Sequence, residues 1–252
     1  MNVIFESYQN DFLPGIQYKE FSKPLHRLHT PVIMIGEMTN DLGADALMAS
    51  ISSFYMKDNR SVSLIGKESI LSLLGMHSID FNNIKGKLER QIYRINKLFH
   101  LIELTEHPSV IICKFPHPIM RFNNDIAYDF GASAFMITQA IEPSYFILCS
   151  PIGFEDSMFW VPFLKNIEEK FGCQPDAICI ADKMIDSADI QNRLDLRYIY
   201  SSAKECKEWM QEMIEKEGLD IFTGCVTNPD EIQKLYNDII DNTSCATGST
   251  LI

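Results

Sequence analysis

The chain has 252 residues, 46% of them hydrophobic, and a formal net charge of −12. This length allows one large α/β domain or two small ones, and the hydrophobic content suffices for a sizeable core. The negative charge argues against nucleic acid or an anionic membrane as a main partner. No apolar run approaches the roughly 20 residues that span a bilayer, and the chain does not start with a signal-peptide pattern. We therefore predict a cytoplasmic protein.

Seven cysteines, an odd number, are spread along the chain. Three of them, Cys113, Cys149 and Cys179, lie in apolar runs that resemble strands. Cysteines in such places of a cytosolic protein are usually reduced. We predict buried thiols rather than disulfides.

Short apolar runs alternate with segments of helical periodicity along the whole chain. The motif NPDE predicts a helix start, with Asn228 as N-cap and Pro229 at the first helical position. Strands are predicted at residues 32–35, 62–65, 110–115, 145–149 and 177–181, with shorter candidates at 198–200 and 221–223. Helices are predicted around residues 47–55, 84–102, 132–141, 160–171, 206–214 and 232–240.

This alternation predicts a three-layer α/β fold with a mostly parallel sheet and helices on both faces, P-loop-NTPase-like or Rossmann-like. Residues 1–29 are predicted as an N-terminal extension, 30–241 as a single α/β domain and 242–252 as a flexible tail. Ligands of such folds bind at the carboxyl ends of the strands, where the strand order reverses. The connections expected there are residues 36–45, 66–68, 114–124, 150–155 and 181–185.

The first connection has the outline of a strand, a phosphate-binding loop and a helix. A Walker A loop reads G-x-x-x-x-G-K-[ST], but Gly36 and Gly43 are seven residues apart instead of five. Ala44 and Asp45 stand where the lysine and the hydroxyl residue would be. Two interpretations remain. Either the helix N-terminus binds an anion, or the glycines permit a tight turn in which Asp41 or Asp45 is a first-turn or capping acid.

The third connection, KFPHPIMRFNND, supplies the other candidates. His117 is either a general base or metal ligand, or a hydrogen-bonded loop histidine. Lys114 is expected to pair with Asp182 or with a loop acid. Arg121 and the asparagines after it either contact a ligand or solvate a turn. The candidate catalytic residues are His117, Lys114 and Asp182, and the candidate ligand-binding residues are Gly36, Thr39, Asn40, Gly43, Asp45, Arg121, Asn123 and Ser150.

Other kinds of site have little support in the sequence. There is no C-x-x-C, no H-E-x-x-H and no histidine–cysteine clustering with zinc spacing. A nucleophile elbow and a glycine-rich dinucleotide fingerprint are also missing. We therefore predict no metal and no cofactor.

From about Thr30 to Asp189, the chain resembles the clostridial-type peptide maturation system proteins, which are encoded beside ribosomally made peptide precursors and their modifying enzymes. The resemblance implies a P-loop-like α/β domain and a role in peptide maturation. Members usually carry a further leading domain of about a hundred residues, which residues 1–29 are too short to replace. The resemblance to the family rests on four stretches: TPVIMIGEMTNDLGADALMAS, SVSLIGKESILSLLGMHSIDF, HPSVIICKFPHPIMRFNNDIAYDFGASAFMITQAIEPSYFILCSP and EKFGCQPDAICIAD.

The chain departs from this family at both candidate loops. The family's first loop tends to carry a lysine-bearing segment where this chain has residues 42–45. Its third loop tends to read P-G-G-I-M-P, and here His117 and Pro118 replace the two glycines that let a backbone approach a ligand. These changes predict a diverged member with a degenerate Walker A loop that has lost or altered ligand binding.

Two hypotheses about function follow. The favoured one is an accessory, non-catalytic partner in maturation of a ribosomally synthesised peptide. Its partner would be a cluster-encoded protein, a paralogue or a second copy, with the precursor peptide as a further candidate. The alternative is an enzyme or small-ligand-binding protein that uses His117, Lys114 and Asp182. The aromatic segment FESYQNDFLPGIQYKEF near the N-terminus either contacts a partner or folds onto the chain's own core.

Overall fold

The computed structural model describes residues 24–67, 76–79, 87–153, 159–186, 196–218 and 222–247. The strands are β1 Val32–Glu37, β2 Val62–Gly66, β3 His77–Ser78, β4 Val110–Lys114, β5 Tyr145–Ile152, β6 Ala177–Ile185, β7 Tyr198–Tyr200 and β8 Phe222–Cys225. The helices are α1 Ala44–Lys57, α2 Leu88–Glu106, α3 Ala132–Ala140, α4 Trp160–Phe171, α5 Ala203–Glu217 and α6 Pro229–Thr247.

The strands form one mixed, mostly parallel sheet. The strand order is β3-β2-β4-β1-β5-β6, and both β7 and β8 pair with β6. Strand β8 runs parallel to the first half of β6, whereas β7 runs antiparallel to its last three residues. The chain leaves β1 toward β2 and later returns to its other side with β5, so the strand order reverses at β1. The first βα connection therefore lies at the topological switch point.

Helices cover the sheet in two groups. Helices α1 and α6 pack together, with the rings of Tyr55 and Tyr236 edge to face at 5.1 Å. On the other face, α2 contacts α3, where the Asn96 amide donates to the carbonyl oxygen of Ala140 at 3.0 Å. Helix α3 in turn contacts α4, where Gln139 donates to the carbonyl oxygen of Phe171. The predicted three-layer α/β arrangement is confirmed.

The hydrophobic core follows the central strands. Residues 32–35 of β1 and 110–113 of β4 are at most 1% exposed, as are 145–149 of β5. Strands covered on both faces read as continuous apolar runs instead of alternating ones, which is why the sequence pattern located them. Cys113, Cys149 and Cys179 are buried and carry free thiols, as predicted.

Several strands are longer than predicted, always at the carboxyl end. Strand β1 continues to Glu37, β5 to Ile152 and β6 to Ile185. The added residues include charged ones, Glu37 and Lys183 among them, which a search for apolar runs excludes. Strand β3 has two residues, too few to give a periodic signal. The sequence therefore located the strands but missed the ends that carry polar side chains.

Helix α6 continues to Thr247 and so includes residues 242–247, which the sequence analysis assigned to a flexible tail. Thr243 is buried, and its hydroxyl donates to the carbonyl oxygen of Ile239 at 2.7 Å. The Asn242 side chain donates to the carbonyl oxygen of Asp238. These short polar side chains bond back to the preceding turn of the helix, and this part of the helix has no apolar repeat in its sequence.

The predicted start of α6 is confirmed. The Asn228 side chain accepts a hydrogen bond from the amide of Asp230 at 3.0 Å, as an N-cap does. Residues 24–30 lie along α2, where Glu103 accepts hydrogen bonds from the amides of His29 and Thr30 at 2.7 Å each. The aromatic segment near the N-terminus, residues 5–21, and the predicted start of α2 at residue 84 lie outside the described residues.

Candidate functional site

The β1 loop, residues 38–43, joins β1 to α1 at the switch point of the sheet. Gly43 precedes the helix with φ of 90°, a conformation that favours glycine. Gly36 lies where a β-carbon would come within 3.0 to 3.2 Å of Ile119, Phe115 and Phe146. The two glycines thus serve a tight turn and close packing, as the second interpretation of this connection requires.

Glu37 occupies the inside of this loop. The side chain belongs to the last residue of β1 and is 6% exposed. Its Oε1 accepts hydrogen bonds from the amide of Leu42 at 2.8 Å and from the amide of Ala44 at 3.2 Å. Backbone amides at the start of such a helix are the groups that bind phosphate in P-loop proteins. In this chain two of these amides donate to the carboxylate of Glu37.

Lys114, the last residue of β4, supplies the counter-charge. Its Nζ lies 3.4 Å from Oε2 of Glu37 and 2.6 Å from Oδ2 of Asp45. The expectation of pairing with a loop acid is confirmed, and the alternative partner Asp182 is not used. Asp45 lies in the first turn of α1, where a carboxylate interacts favourably with the helix dipole. The result is an acid–base–acid cluster at the mouth of the loop.

Burial and pairing oppose each other in this cluster. Burial raises the pKa of Glu37, while Lys114 and the amide of Ala44 act in the opposite direction. Burial also works against the charged form of Lys114, but Glu37 and Asp45 outweigh it and raise the pKa of the lysine. The two amides and the ammonium group of Lys114 favour the charged form of the Glu37 carboxylate, and burial opposes them.

The outer side of the β1 loop is held by β6 and β7. The Tyr198 hydroxyl donates to the carbonyl oxygen of Asn40 at 2.6 Å and lies 3.0 Å from Oγ1 of Thr39. Lys183 Nζ donates to the carbonyl oxygen of Asp41, which has a positive φ of 61°. Burial raises the pKa of Tyr198, so this hydroxyl stays protonated. Two predicted ligand-binding residues, Thr39 and Asn40, therefore bond within the protein.

The three candidate catalytic residues have different surroundings. His117 is half-buried, and burial together with the charge of Lys67 lowers its pKa, with Asp129 acting in the opposite direction. Asp182 is half-buried on β6, and its carbonyl oxygen accepts a hydrogen bond from the amide of Ser201 at 2.9 Å. Within the described residues, no hydrogen bond or ion pair joins His117, Lys114 and Asp182.

The remaining predicted residues have local roles. The side chain of Asn123 accepts hydrogen bonds from the amides of Asp125 and Ile126 at 2.9 and 2.7 Å, which forms an Asx turn. Arg121 is exposed, and a nitrogen of its guanidinium group donates to the side-chain oxygen of Asn124 at 3.4 Å. Ser150 is fully buried, and its hydroxyl donates to the carbonyl oxygen of Pro151. For Asn123, the turn interpretation is the one that the structure supports.

The β4 loop, residues 115–131, is held by a lysine that the sequence analysis missed. Lys170 of α4 donates to the carbonyl oxygens of Ile119 at 3.2 Å and of Phe130 at 2.5 Å. Gly131 ends the loop with φ of 71°, and a β-carbon there would come within 2.1 Å of the Ile119 carbonyl oxygen. In the sequence, Lys170 is an ordinary polar residue of an amphipathic helix, so nothing marked it. Glu37 did carry a signal, because it is a charge directly after a buried apolar run.

Two further features of the described residues concern metal binding and membrane insertion. These residues contain no group of three or more histidine, cysteine or acidic side chains that could hold a metal ion. None of their helices is long and apolar enough to cross a membrane.

No known family profile matches the chain, and no curated protein matches its sequence. Solved structures do share its fold. A DUF1611 family protein from Anabaena variabilis matches with a TM-score of 0.55 at 6% identity, over 88% of this chain and 61% of that protein. HypB from Helicobacter pylori has a TM-score of 0.43 at 12% identity, over 88% of this chain and 91% of HypB. MinD from Aquifex aeolicus gives 0.46 at 13% identity, over 88% and 99%.

This chain thus spans less than two thirds of the DUF1611 protein. At such low identity the likeness concerns the fold alone. The likeness to the DUF1611 protein agrees with the three-layer α/β fold that the strand order and the helix layers show.

Proposed function

We propose that this chain is a P-loop-like protein whose phosphate site is filled from within, and that it acts as an accessory, non-catalytic partner in maturation of a ribosomally synthesised peptide. The observation that supports the first part is the carboxylate of Glu37, which bonds to the amides of Leu42 and Ala44. A nucleotide phosphate needs these same donors.

The charges around the loop disfavour a bound nucleotide further. A phosphate placed about 4 Å from the Glu37 carboxylate would meet a repulsion on the order of 4 kcal/mol at an effective dielectric constant of about 20. Lys114 is close to two carboxylates and so offers little net positive charge. Asp45 stands where a P-loop hydroxyl would bind magnesium. Each of these features weakens the binding of a magnesium nucleotide.

The partner role rests on what the chain retains. Its buried core is extensive, and it resembles proteins encoded beside peptide precursors and modifying enzymes. A protein that keeps its fold while its catalytic loop is blocked still offers surfaces for assembly. The partner we propose is a cluster-encoded protein, a paralogue or a second copy of this chain in the cytoplasm. The net charge of −12 disfavours nucleic acid.

Calorimetric titration with magnesium ATP and magnesium GTP tests the first part. We expect no measurable binding at nucleotide concentrations up to about 1 mM. Ala44→Lys alone should not rescue binding, because Glu37 still occupies the loop amides and the glycine spacing is unchanged. Micromolar affinity of the unmodified chain would contradict the proposal.

Co-purification from cells that express the whole gene cluster tests the second part. We expect the chain to elute with another cluster product or as a dimer, as measured by light scattering on the purified sample. The matched control is the same tagged chain expressed without the cluster, which separates a specific partner from background. A monomer that brings down no cluster product, while peptide maturation proceeds normally in a strain without the chain, would refute the partner role.

A further inference from the structure

Two cysteines outside the β1 loop form a close pair. Cys206 lies in the first turn of α5, and Cys225 is the last residue of β8. Their sulfur atoms are 3.4 Å apart across 19 positions of sequence. The residues are 0% and 7% exposed, so the pair is enclosed but close to the surface.

The backbone around both residues is well anchored. Ser202 and Glu205 form a capping box at the start of α5, and the amide of Cys206 donates to the carbonyl oxygen of Ser202. The amide of Cys225 donates to Oε2 of Glu231 at 2.6 Å. A disulfide has an S–S bond of about 2.05 Å, so the sulfurs need to approach by only a little more than an ångström.

The two thiols differ in acidity because they share a hydrogen bond. The thiol of Cys206 donates toward Cys225, which lowers the pKa of Cys225 to about 6, and Thr227 acts in the same direction. The same bond raises the pKa of Cys206. Burial raises the pKa values of Cys113, Cys149 and Cys179, so these thiols stay protonated. Thiolate is the reactive form of cysteine, and the hydrogen bonds with Cys206 and Thr227 favour that form at Cys225, against the effect of burial.

We propose that Cys206 and Cys225 are a dithiol site that exchanges with small disulfides of the glutathione type and closes a reversible disulfide between α5 and β8. The Cys225 thiolate attacks one sulfur of the small disulfide, whose second half leaves as a thiolate. Cys206 then attacks the Cys225 sulfur of the mixed disulfide and displaces the other half. The proton of Cys206 passes to a released thiolate. In total, two protein thiols are oxidised and one small disulfide is reduced to two small thiols.

The disulfide would connect to the β1 loop through one residue. Val226 follows Cys225, and its amide donates to the carbonyl oxygen of Ile180. Its side chain lies 3.3 Å from the position of a β-carbon on Gly43. The disulfide would link α5 to the end of β8, directly before Val226. It would thereby restrict the movement of Val226 against Gly43 of the β1 loop. This consequence does not depend on whether the chain binds a nucleotide or a partner.

The test is incubation of the reduced full-length chain with excess oxidised glutathione, followed by alkylation, intact mass measurement and peptide mapping. We expect two fewer alkyl groups than on the reduced and alkylated chain, a mapped link between Cys206 and Cys225, and full reversal by dithiothreitol. The midpoint of thermal unfolding should rise by roughly 5 °C, because the link restricts the unfolded chain.

Single serine variants separate the two steps. Cys206→Ser should stop at a mixed disulfide with glutathione on Cys225. Cys225→Ser should leave Cys206 unmodified, because its partner thiolate is gone. Cys149 and Cys179 are paired in register on β5 and β6, so Cys179→Ser is the matched control and should behave like the unmodified chain. A link that maps to any other pair, or a chain that stays reduced or keeps glutathione on Cys225 without closing, overturns the proposal.

Discussion

The β1 loop and the β4 loop both follow the carboxyl ends of parallel strands. In both, a charged side chain bonds to backbone groups of the loop, but the two charges are opposite. In the β1 loop, the carboxylate of Glu37 accepts hydrogen bonds from backbone amides. In the β4 loop, the ammonium group of Lys170 donates to backbone carbonyl oxygens. A loop buried against a sheet must satisfy its polar backbone groups. Here both loops do so from within the protein, where a ligand-binding loop would leave donors free.

The two loops differ in how the buried charge is compensated. Glu37 is almost fully buried and interacts with Lys114, which also contacts Asp45. Lys170 is partly exposed; Asp129 favours its charged form, and its ammonium group lies 5.0 Å from the centre of the Phe171 ring. Removing Glu37 therefore disturbs a cluster, whereas removing Lys170 disturbs one side chain and two carbonyl groups. The comparison predicts that removing the Glu37 side chain lowers the free energy of unfolding more than removing the Lys170 side chain does.

The largest effect is expected where the β4 loop ends, at Gly131→Ala. The added β-carbon would lie 2.1 Å from the Ile119 carbonyl oxygen and 2.6 Å from Lys170 Nζ, at a φ of 71°. We expect a loss of about 4 kcal/mol in the free energy of unfolding, measured by chemical denaturation. The control is Gly218→Ala, with φ of 61° and no atom of the described residues within 4 Å of the added carbon. It should cost only about 1 kcal/mol. Equal losses at both glycines would show that Lys170 and Ile119 give way.

Glu37→Ala should cost about 3 kcal/mol, because it leaves two amides without an acceptor and removes one partner of Lys114. Glu37→Gln keeps an oxygen for the amides and loses only the charge, so about 1 kcal/mol is expected. Denaturation of the two variants side by side measures the difference. If alanine and glutamine cost the same, the amide contacts are not what stabilises the loop.

Lys170→Met should cost about 1 kcal/mol at neutral pH, a figure reduced for the partial exposure of the side chain. Burial lowers the pKa of Lys170, with Asp129 opposing. The folded state therefore releases this proton at a lower pH than the unfolded chain does. Stability from this group must rise with pH up to its ordinary pKa of about 10.5. The advantage of the unmodified chain over the methionine variant should grow between about pH 7 and about pH 10. A constant or shrinking difference in denaturation midpoints would contradict that sign.

The smallest effect on stability is expected for His117→Ala, within about 0.5 kcal/mol, because a half-buried loop side chain contributes little to the core. Its lowered pKa means that the ring is neutral at pH 7, so no charge is lost. Under the partner proposal, peptide maturation continues in this variant at the normal rate. Maturation that stops while the variant stays folded would instead favour the enzyme alternative built on His117.

The sequence alone determined the features that depend on local order. Apolar runs and helical repeats located most strands and helices, because burial on one or two faces sets the spacing of apolar residues. The missing Walker lysine, the two glycines and the Asn228 cap could likewise be read from neighbouring residues. The continuation of α6 to Thr247 was not predicted, because residues 242–247 carry no apolar repeat.

Only the tertiary structure decided the contacts between distant residues. Lys114 pairs with Asp45, 69 residues away in the sequence, and not with Asp182. Lys170 bonds to the carbonyl oxygen of Ile119, 51 residues away. The same holds for the sulfur atoms of Cys206 and Cys225. Periodicity tells which side of a strand or helix is buried, but not which polar group of another element meets it there. Even Glu37, visible as a charge at a strand end, acquired its role only when the chain folded its own loop around the carboxylate.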